Sequence, residues 1–274
     1  MGRKMIRFIN SFSAIYSGKN LPRASAALSY YLTMTFFPLI ICLYTLLGNS
    51  YDKAMRVLSF TENLMAEETT EILEDFLLYV SQNNSLAMMI AGLIVLLTYS
   101  SAAVRTLQAS LGEIQGGQKY LGARGYLFSL VFSMLFMAAL YFAILVMLTG
   151  RTVIERINHI LPFIDISQSW NYVRFLVMGG IMYVIIWGTY ESVKRRWDRY
   201  STWPGAMAAS LAMVGVSIAY SMFIGASTRY PLVYGSLASV VLLMLWLYTC
   251  CLVIYCGAAL NIVIRDQRYS KRRN

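Results

Sequence analysis

Charge is what this sequence has least of. Only 13% of its 274 residues are Asp, Glu, Lys or Arg, while 58% are hydrophobic. That is too little charge to cover a soluble domain of this length. Acids are scarcer than bases, 13 against 23, and there is one histidine, His159. A metal-dependent nuclease needs clustered Asp, Glu or His facing its substrate. The acids on the segments assigned below to the cytoplasm are Glu113, Glu191, Asp198 and Asp266, scattered along the chain, and His159 falls on the opposite side. "GEIQGGQK" (112–119) lacks the Gly-Lys-Ser/Thr ending of a nucleotide loop. Cys42, Cys250, Cys251 and Cys256 have no C-x-x-C spacing and read as apolar fillers inside helices. The expectation is a protein that is not an enzyme, with no catalytic residue, no metal and no cofactor.

What the chain has in abundance is long apolar runs. A hydrocarbon core of roughly 30 Å takes about twenty helical residues. Six stretches qualify: 24–47, 86–107, 126–149, 172–190, 205–227 and 236–264. The fold class expected is all-α, a polytopic six-helix transmembrane bundle forming one membrane domain over 1–274. The first run starts too late and is too long for a cleavable signal peptide.

The net charge of +10 invites a nucleic-acid reading, but its distribution argues otherwise. Tail 1–23, segment 105–125, loop 191–204 and tail 265–274 together carry seventeen Lys and Arg, and the intervening loops carry six. That asymmetry is the positive-inside pattern and places both termini in the cytoplasm. The expected partners are membrane lipids, with anionic headgroups at the cytoplasmic face, and no nucleic acid.

Residues 3–19 set Met5, Phe8, Ile9, Phe12, Ile15 and Tyr16 at helical spacing opposite Arg3, Lys4 and Arg7. Such a helix either lies in the headgroup layer or packs on the bundle. Loop 48–85 is acidic and extracytoplasmic in this topology. Within it Ile72, Leu73, Phe76, Leu77 and Val80 share a face, which predicts a short amphipathic helix over the outer mouth. Loop 228–235, "TRYPLVYG", is short and apolar enough to dip back into the bilayer. Run 205–227 pairs small residues four apart, Gly205 with Ala209 and Gly215 with Ala219, which predicts a helix at the bundle centre.

The first run carries Ser25, Ser29 and Thr33 on one face with Tyr30 beside them, and Pro38 near its middle. Pro38 cannot donate to the Met34 carbonyl, so that carbonyl needs another partner such as Thr35, a neighbouring helix or water. This face is expected to point into the protein, either as polar packing around a kink or as the lining of a passage. Candidate path residues are Ser29, Tyr30, Thr33 and Pro38 on the first span, Thr98, Ser101 and Arg105 on the second, and Asn261 on the last. Arg105 reads either as a snorkelling cation or as a ligand for a phosphate headgroup. Arg174 and Arg229 invite the same two readings. No span has an acid near its centre, so a buried-carboxylate ion relay is not expected.

"RASAALSYYLTMTFFPLI" (23–40) and "YGSLASVVLLMLWLYTCCLVIYCGAALN" (234–261) resemble the two signature regions of the YihY/virulence factor BrkB family. "TYSSAAVRTLQASLGEIQGG" (98–117) extends the resemblance, which covers nearly the whole chain. Arg23, Tyr30, Tyr31 and Pro38 correspond to the first signature, and Tyr234, Gly235, Trp246, Gly257 and Asn261 to the second. The resemblance implies a bacterial inner-membrane protein, some relatives of which carry a ribonuclease BN label. It also implies an envelope role in transport, lipids included. The expectation is a transporter or lipid flippase-like protein. The alternative is a non-transporting scaffold that binds another copy of itself or envelope proteins.

Overall fold

The computed structural model describes residues 2–46, 55, 67–83, 85–116, 126–127, 129–131, 133–135, 138, 170–194, 200–225 and 237–273. The described residues are mostly helical, with no strand among them, and include seven helices: α1 (Gly2–Gly18), α2 (Leu21–Leu46), α3 (Glu67–Gln82), α4 (Leu86–Gln115), α5 (Trp170–Val193), α6 (Trp203–Gly225) and α7 (Leu237–Arg273). Residues 126–138 are helical where described. The expected third span beyond residue 138, the loop with His159, and loop 228–235 with Arg229, Tyr234 and Gly235 lie outside the described residues.

Four described helices are long and apolar enough to cross a membrane: Leu21–Cys42, Leu86–Gln115, Trp203–Tyr220 and Val240–Gln267. The 172–190 run falls within α5. Large apolar side chains such as Leu86, Ile94, Leu211, Ile218 and Met222 face outward. In water such a belt would drive association, whereas in lipid tails it is the expected surface.

Local chemistry explains where several helices begin and end. Asn20 takes a left-handed backbone (φ 49°) between α1 and α2, a conformation that asparagine tolerates better than most residues. Ser85 caps α4 by accepting from the Met88 amide at 3.1 Å, and Gly116 closes it in the left-handed region (φ 65°). Hydropathy alone stops this span at 107, but nothing breaks the helix before Gly116. Likewise α7 has 37 residues, or about 55 Å at 1.5 Å each, and runs well past the apolar stretch ending at 264.

α7 is the hub, touching α1, α2, α3, α4 and α6. The main core gathers Leu21 and Leu28 of α2, Ala103 and Leu111 of α4, Tyr190 of α5, Ala206 and Ala209 of α6, and Tyr255, Ala258 and Ile262 of α7. Phe12, Ile15 and Tyr16 of α1 pack against it, while Ile6 and Ile9 stay exposed. Packing on the bundle thus describes the second half of the N-terminal helix. A smaller core at the other end joins Tyr44 to Leu77 and Val80 of α3, with Phe76 edge-on to Phe37 at 5.4 Å.

The expectation that α6 lies at the centre does not hold among the described residues. Gly205 and Ala209 are buried, but Leu211, Val214 and Ile218 are exposed and nothing stands within 4 Å of a Cβ built at Gly215. Small residues permit close approach without compelling it, and only the first two turns of α6 use that permission.

Candidate functional site

The hydroxyls of the α2 stripe are closed onto their own helix. Ser25 donates to the Leu21 carbonyl at 2.8 Å, Ser29 to Ala26 at 3.0 Å and Thr33 to Ser29 at 2.8 Å. All three side chains are buried, as is Pro38, around which α2 continues without interruption. Thr35 donates to the Tyr31 carbonyl at 2.7 Å rather than to the Met34 carbonyl that Pro38 leaves free. Back-bonding of this kind is how an apolar helix carries hydroxyls at little cost. Tyr30 is exposed and sits edge-on to Tyr31 at 5.5 Å; Arg23 is exposed too. On α4, Thr98 bonds its own Ile94 carbonyl.

Ser101 and Arg105 do come together. Arg105 Nη1 donates to Ser101 Oγ at 3.0 Å, and Ser101 shares a hydrogen bond of 3.0 Å with Ser129 of the following segment. The guanidinium also lies over the Tyr126 ring, 4.8 Å from its centroid. Residues 101 and 105 are one turn apart on the same face, so the serine reaches the arginine without strain. Among the described residues no carboxylate stands within ion-pair range of Arg105.

Asn261 belongs to a different cluster, where α5 turns into α6. Thr202 occupies the position before α6 from which a threonine side chain normally caps the helix. Its hydroxyl is turned away and donates to Glu191 Oε2 at 2.7 Å. Asn261 of α7 takes its place. Its Oδ1 accepts the Gly205 amide at 2.7 Å and its Nδ2 donates to the Thr202 carbonyl at 2.9 Å. Pro204 has no amide proton to satisfy, so α6 is capped from across the bundle by one side chain. The backbones must nearly touch for that reach. A Cβ built on Gly205 would stand 2.1 Å from the Gly257 carbonyl oxygen, and one on Gly257 would stand 2.7 Å from that of Gly205. Tyr190 completes the crossing by donating to the Ile254 carbonyl.

Outside this crossing, Lys194 bonds both Glu191 and the Tyr200 carbonyl. Tyr200 in turn donates to Gln115 Oε1 of α4 at 3.2 Å, and Lys194 and Arg265 both lie over its ring. Burial pushes the Glu191 carboxyl up, but the hydrogen bonds from Lys194 and Thr202 outweigh it and hold the carboxyl below the ordinary 4.5. A depressed carboxylate contributes stability that is complete above pH 4.5 and lost as pH falls through the folded-state value. Glu191 is partly exposed, so the contribution is modest, on the order of 1 kcal/mol or less. Glu191→Gln should therefore lower the melting temperature by a few degrees at pH 7, and the difference from wild type should close on acidification, which thermal denaturation across a pH series checks.

Sequence reasoning placed Gly257 only through the family signature, and Asn261 through that signature and as a candidate path residue rather than as a helix cap. Glu191, Lys194, Tyr200, Thr202, Gln115 and Tyr190 escaped it. Thr-Trp-Pro at 202–204 signals a helix start and was the available clue; which side chain would do the capping is not local information.

The second signature's Gly257 and Asn261 are thus the residues that join α6 to α7. The profile of the virulence factor BrkB family matches residues 13–274. The chain belongs to this family. Across 249 residues it is 21% identical to the Bacillus subtilis (strain 168) ribonuclease-like protein YfkH, covering 89% of this chain and 90% of that one. It is also 26% identical over 92 residues to a UPF0761 membrane protein of Albidiferax ferrireducens, covering 32% of this chain and 22% of that protein. No solved structure matches the chain. BrkB membership makes this a membrane protein of a family not known for an enzymatic activity, and the ribonuclease-like label belongs to a relative at 21% identity.

Proposed function

We propose that this BrkB protein is a six-span transporter of the bacterial inner membrane, with both termini in the cytoplasm, that moves an anionic amphiphile such as a phospholipid. In this reading it is one membrane unit, contacts anionic headgroups at its cytoplasmic face and catalyses no reaction. The observation that carries the proposal is Arg105. A half-buried guanidinium on an apolar helix, held in place by Ser101 and Tyr126 and facing no carboxylate among the described residues, is arranged to receive an anion. A phosphate headgroup fits that requirement, since a planar guanidinium can give it two parallel hydrogen bonds.

Purified protein in liposomes with a labelled phosphatidylglycerol tests this. Wild type should move the headgroup between leaflets, Arg105→Gln should slow it roughly tenfold or more, and Arg105→Lys should keep part of the rate, since a charge-assisted bond of about 1.5–3 kcal/mol is at stake. Equal rates for wild type and a well-folded Arg105→Gln would sink the proposal. A second reading, a scaffold without flux, draws support from α2, whose buried hydroxyls are all spent on its own carbonyls and leave that face dry. Absent flux in wild type, with partner capture intact, would favour it.

A further inference from the structure

The first 51 residues contain five lysines and arginines and no acid, the first carboxylate of the chain being Asp52. α1 lies in that stretch, and its connection fixes where it sits. Only Lys19 and Asn20 separate it from Leu21, where the first apolar stretch long enough to cross a membrane begins. A helix tethered so closely to a span stays at the bilayer surface. Phe12, Ile15 and Tyr16 hold one face of α1 on the main core. Along its exposed side runs a groove of about 490 Å³, lined among the described residues by Ile6, Arg7, Asn10, Ser11 and Ala14.

This lining combines a guanidinium, an amide and a hydroxyl with an apolar edge. Among the described residues neither an ion pair nor a side-chain hydrogen bond engages Arg7, Asn10 or Ser11. Arg3 stands one turn before Arg7 on the same face of the helix and adds a second positive charge there. Beside them Ile6 is 60% exposed and Ile9 57%. We propose that the groove on α1 binds the headgroup of an anionic phospholipid. Arg7 donates to the phosphate, Asn10 and Ser11 bond the neighbouring headgroup oxygens, and Ile6 and Ile9 face the acyl boundary. A free phosphate or an acidic peptide would use the cation but leave two isoleucines in water, whereas a lipid uses both. This is a fixed lipid site apart from Arg105; it requires a bilayer but no flux.

Photocrosslinking identifies the occupant by its mass. Ser13 is exposed, lies two turns from Ile6 on the same face and does not line the groove, so it can be replaced by the photoreactive p-benzoylphenylalanine. The full chain is reconstituted in vesicles of equal parts phosphatidylcholine and phosphatidylglycerol and irradiated. Phosphatidylglycerol adducts should outnumber phosphatidylcholine adducts about threefold to fivefold, the preference that one cation near an anionic surface confers. Arg7→Gln should remove that preference, and Arg7→Lys should keep most of it. Lys19→Gln makes the same change in net charge outside the groove and should leave the ratio as it was. Equal adducts of the two lipids without these substitutions overturn the proposal, and so does a crosslink to protein in place of lipid. Equal losses in Arg7→Gln and Lys19→Gln overturn it too, since they would mean diffuse attraction and no site. Arg7 and Lys19 are both exposed, so the variants keep the fold. No readout involves transport, so failure here leaves the role of Arg105 untouched, and the reverse holds.

Discussion

Gly205→Ala should cost more stability than any other single-methyl addition among the described glycines. The new Cβ would sit 2.1 Å from the Gly257 carbonyl oxygen and 2.5 Å from Asn261 Nδ2. The backbone oxygen cannot swing aside, so α6 and α7 have to separate and the cap at Asn261 opens with them. Alanine normally favours a helix over glycine by about 1 kcal/mol, which works the other way. Overpacking a tight site costs about 1–3 kcal/mol, and an interhelix separation that also exposes a buried amide exceeds this range. The expected net loss is about 3 kcal/mol or more, roughly 6–12 °C in melting temperature for a chain of this size class. Gly257→Ala should follow closely, meeting Tyr190, the Gly205 carbonyl oxygen and Ala209 at 2.6–2.8 Å. Gly215→Ala, with nothing within 4 Å, should be neutral or slightly stabilising. Fluorescence-detected size-exclusion after heating checks all three, and a wild-type melting temperature for Gly205→Ala would refute the crossing.

The contrast between Gly205 and Gly215 marks where reading the chain stops. Both are small residues paired four apart on one apolar run, and nothing in that run distinguishes them. The difference comes from α7, which presents Gly257 to one and nothing to the other. Periodicity is a property of a single helix and predicted what single helices decide. The buried stripe of α2, the buried Leu77 and Val80 of α3 and the start of α4 at residue 86 follow from it. Among the described residues the small-residue rule failed for the second half of α6 for the same reason, since it describes permission on one surface only. The bonds that tie the polar cluster at the α5–α6 corner to α4 and α7 were beyond reach because they join residues 56 to 85 positions apart. Among the candidate path residues, Ser101 and Arg105 meet because they sit one turn apart, while Asn261 serves a different pair of helices.

Asn261→Asp should separate the two halves of the cap. The substitution keeps an oxygen for the Gly205 amide but replaces the donor that faces the Thr202 carbonyl with a second oxygen. The new oxygen faces the Thr202 carbonyl with no proton between them, at a position only 1% exposed. Asn261→Asp should therefore keep the Gly205 bond and lose about 1–3 kcal/mol, the cost of leaving a buried acceptor unpaired. Asn261→Leu, which leaves the Gly205 amide buried without a partner, should lose about 2–4 kcal/mol, combining the orphaned donor with the lost cap. Melting temperatures of the three proteins decide it: a wild-type melting temperature for Asn261→Leu would mean that Asn261 does not cap α6.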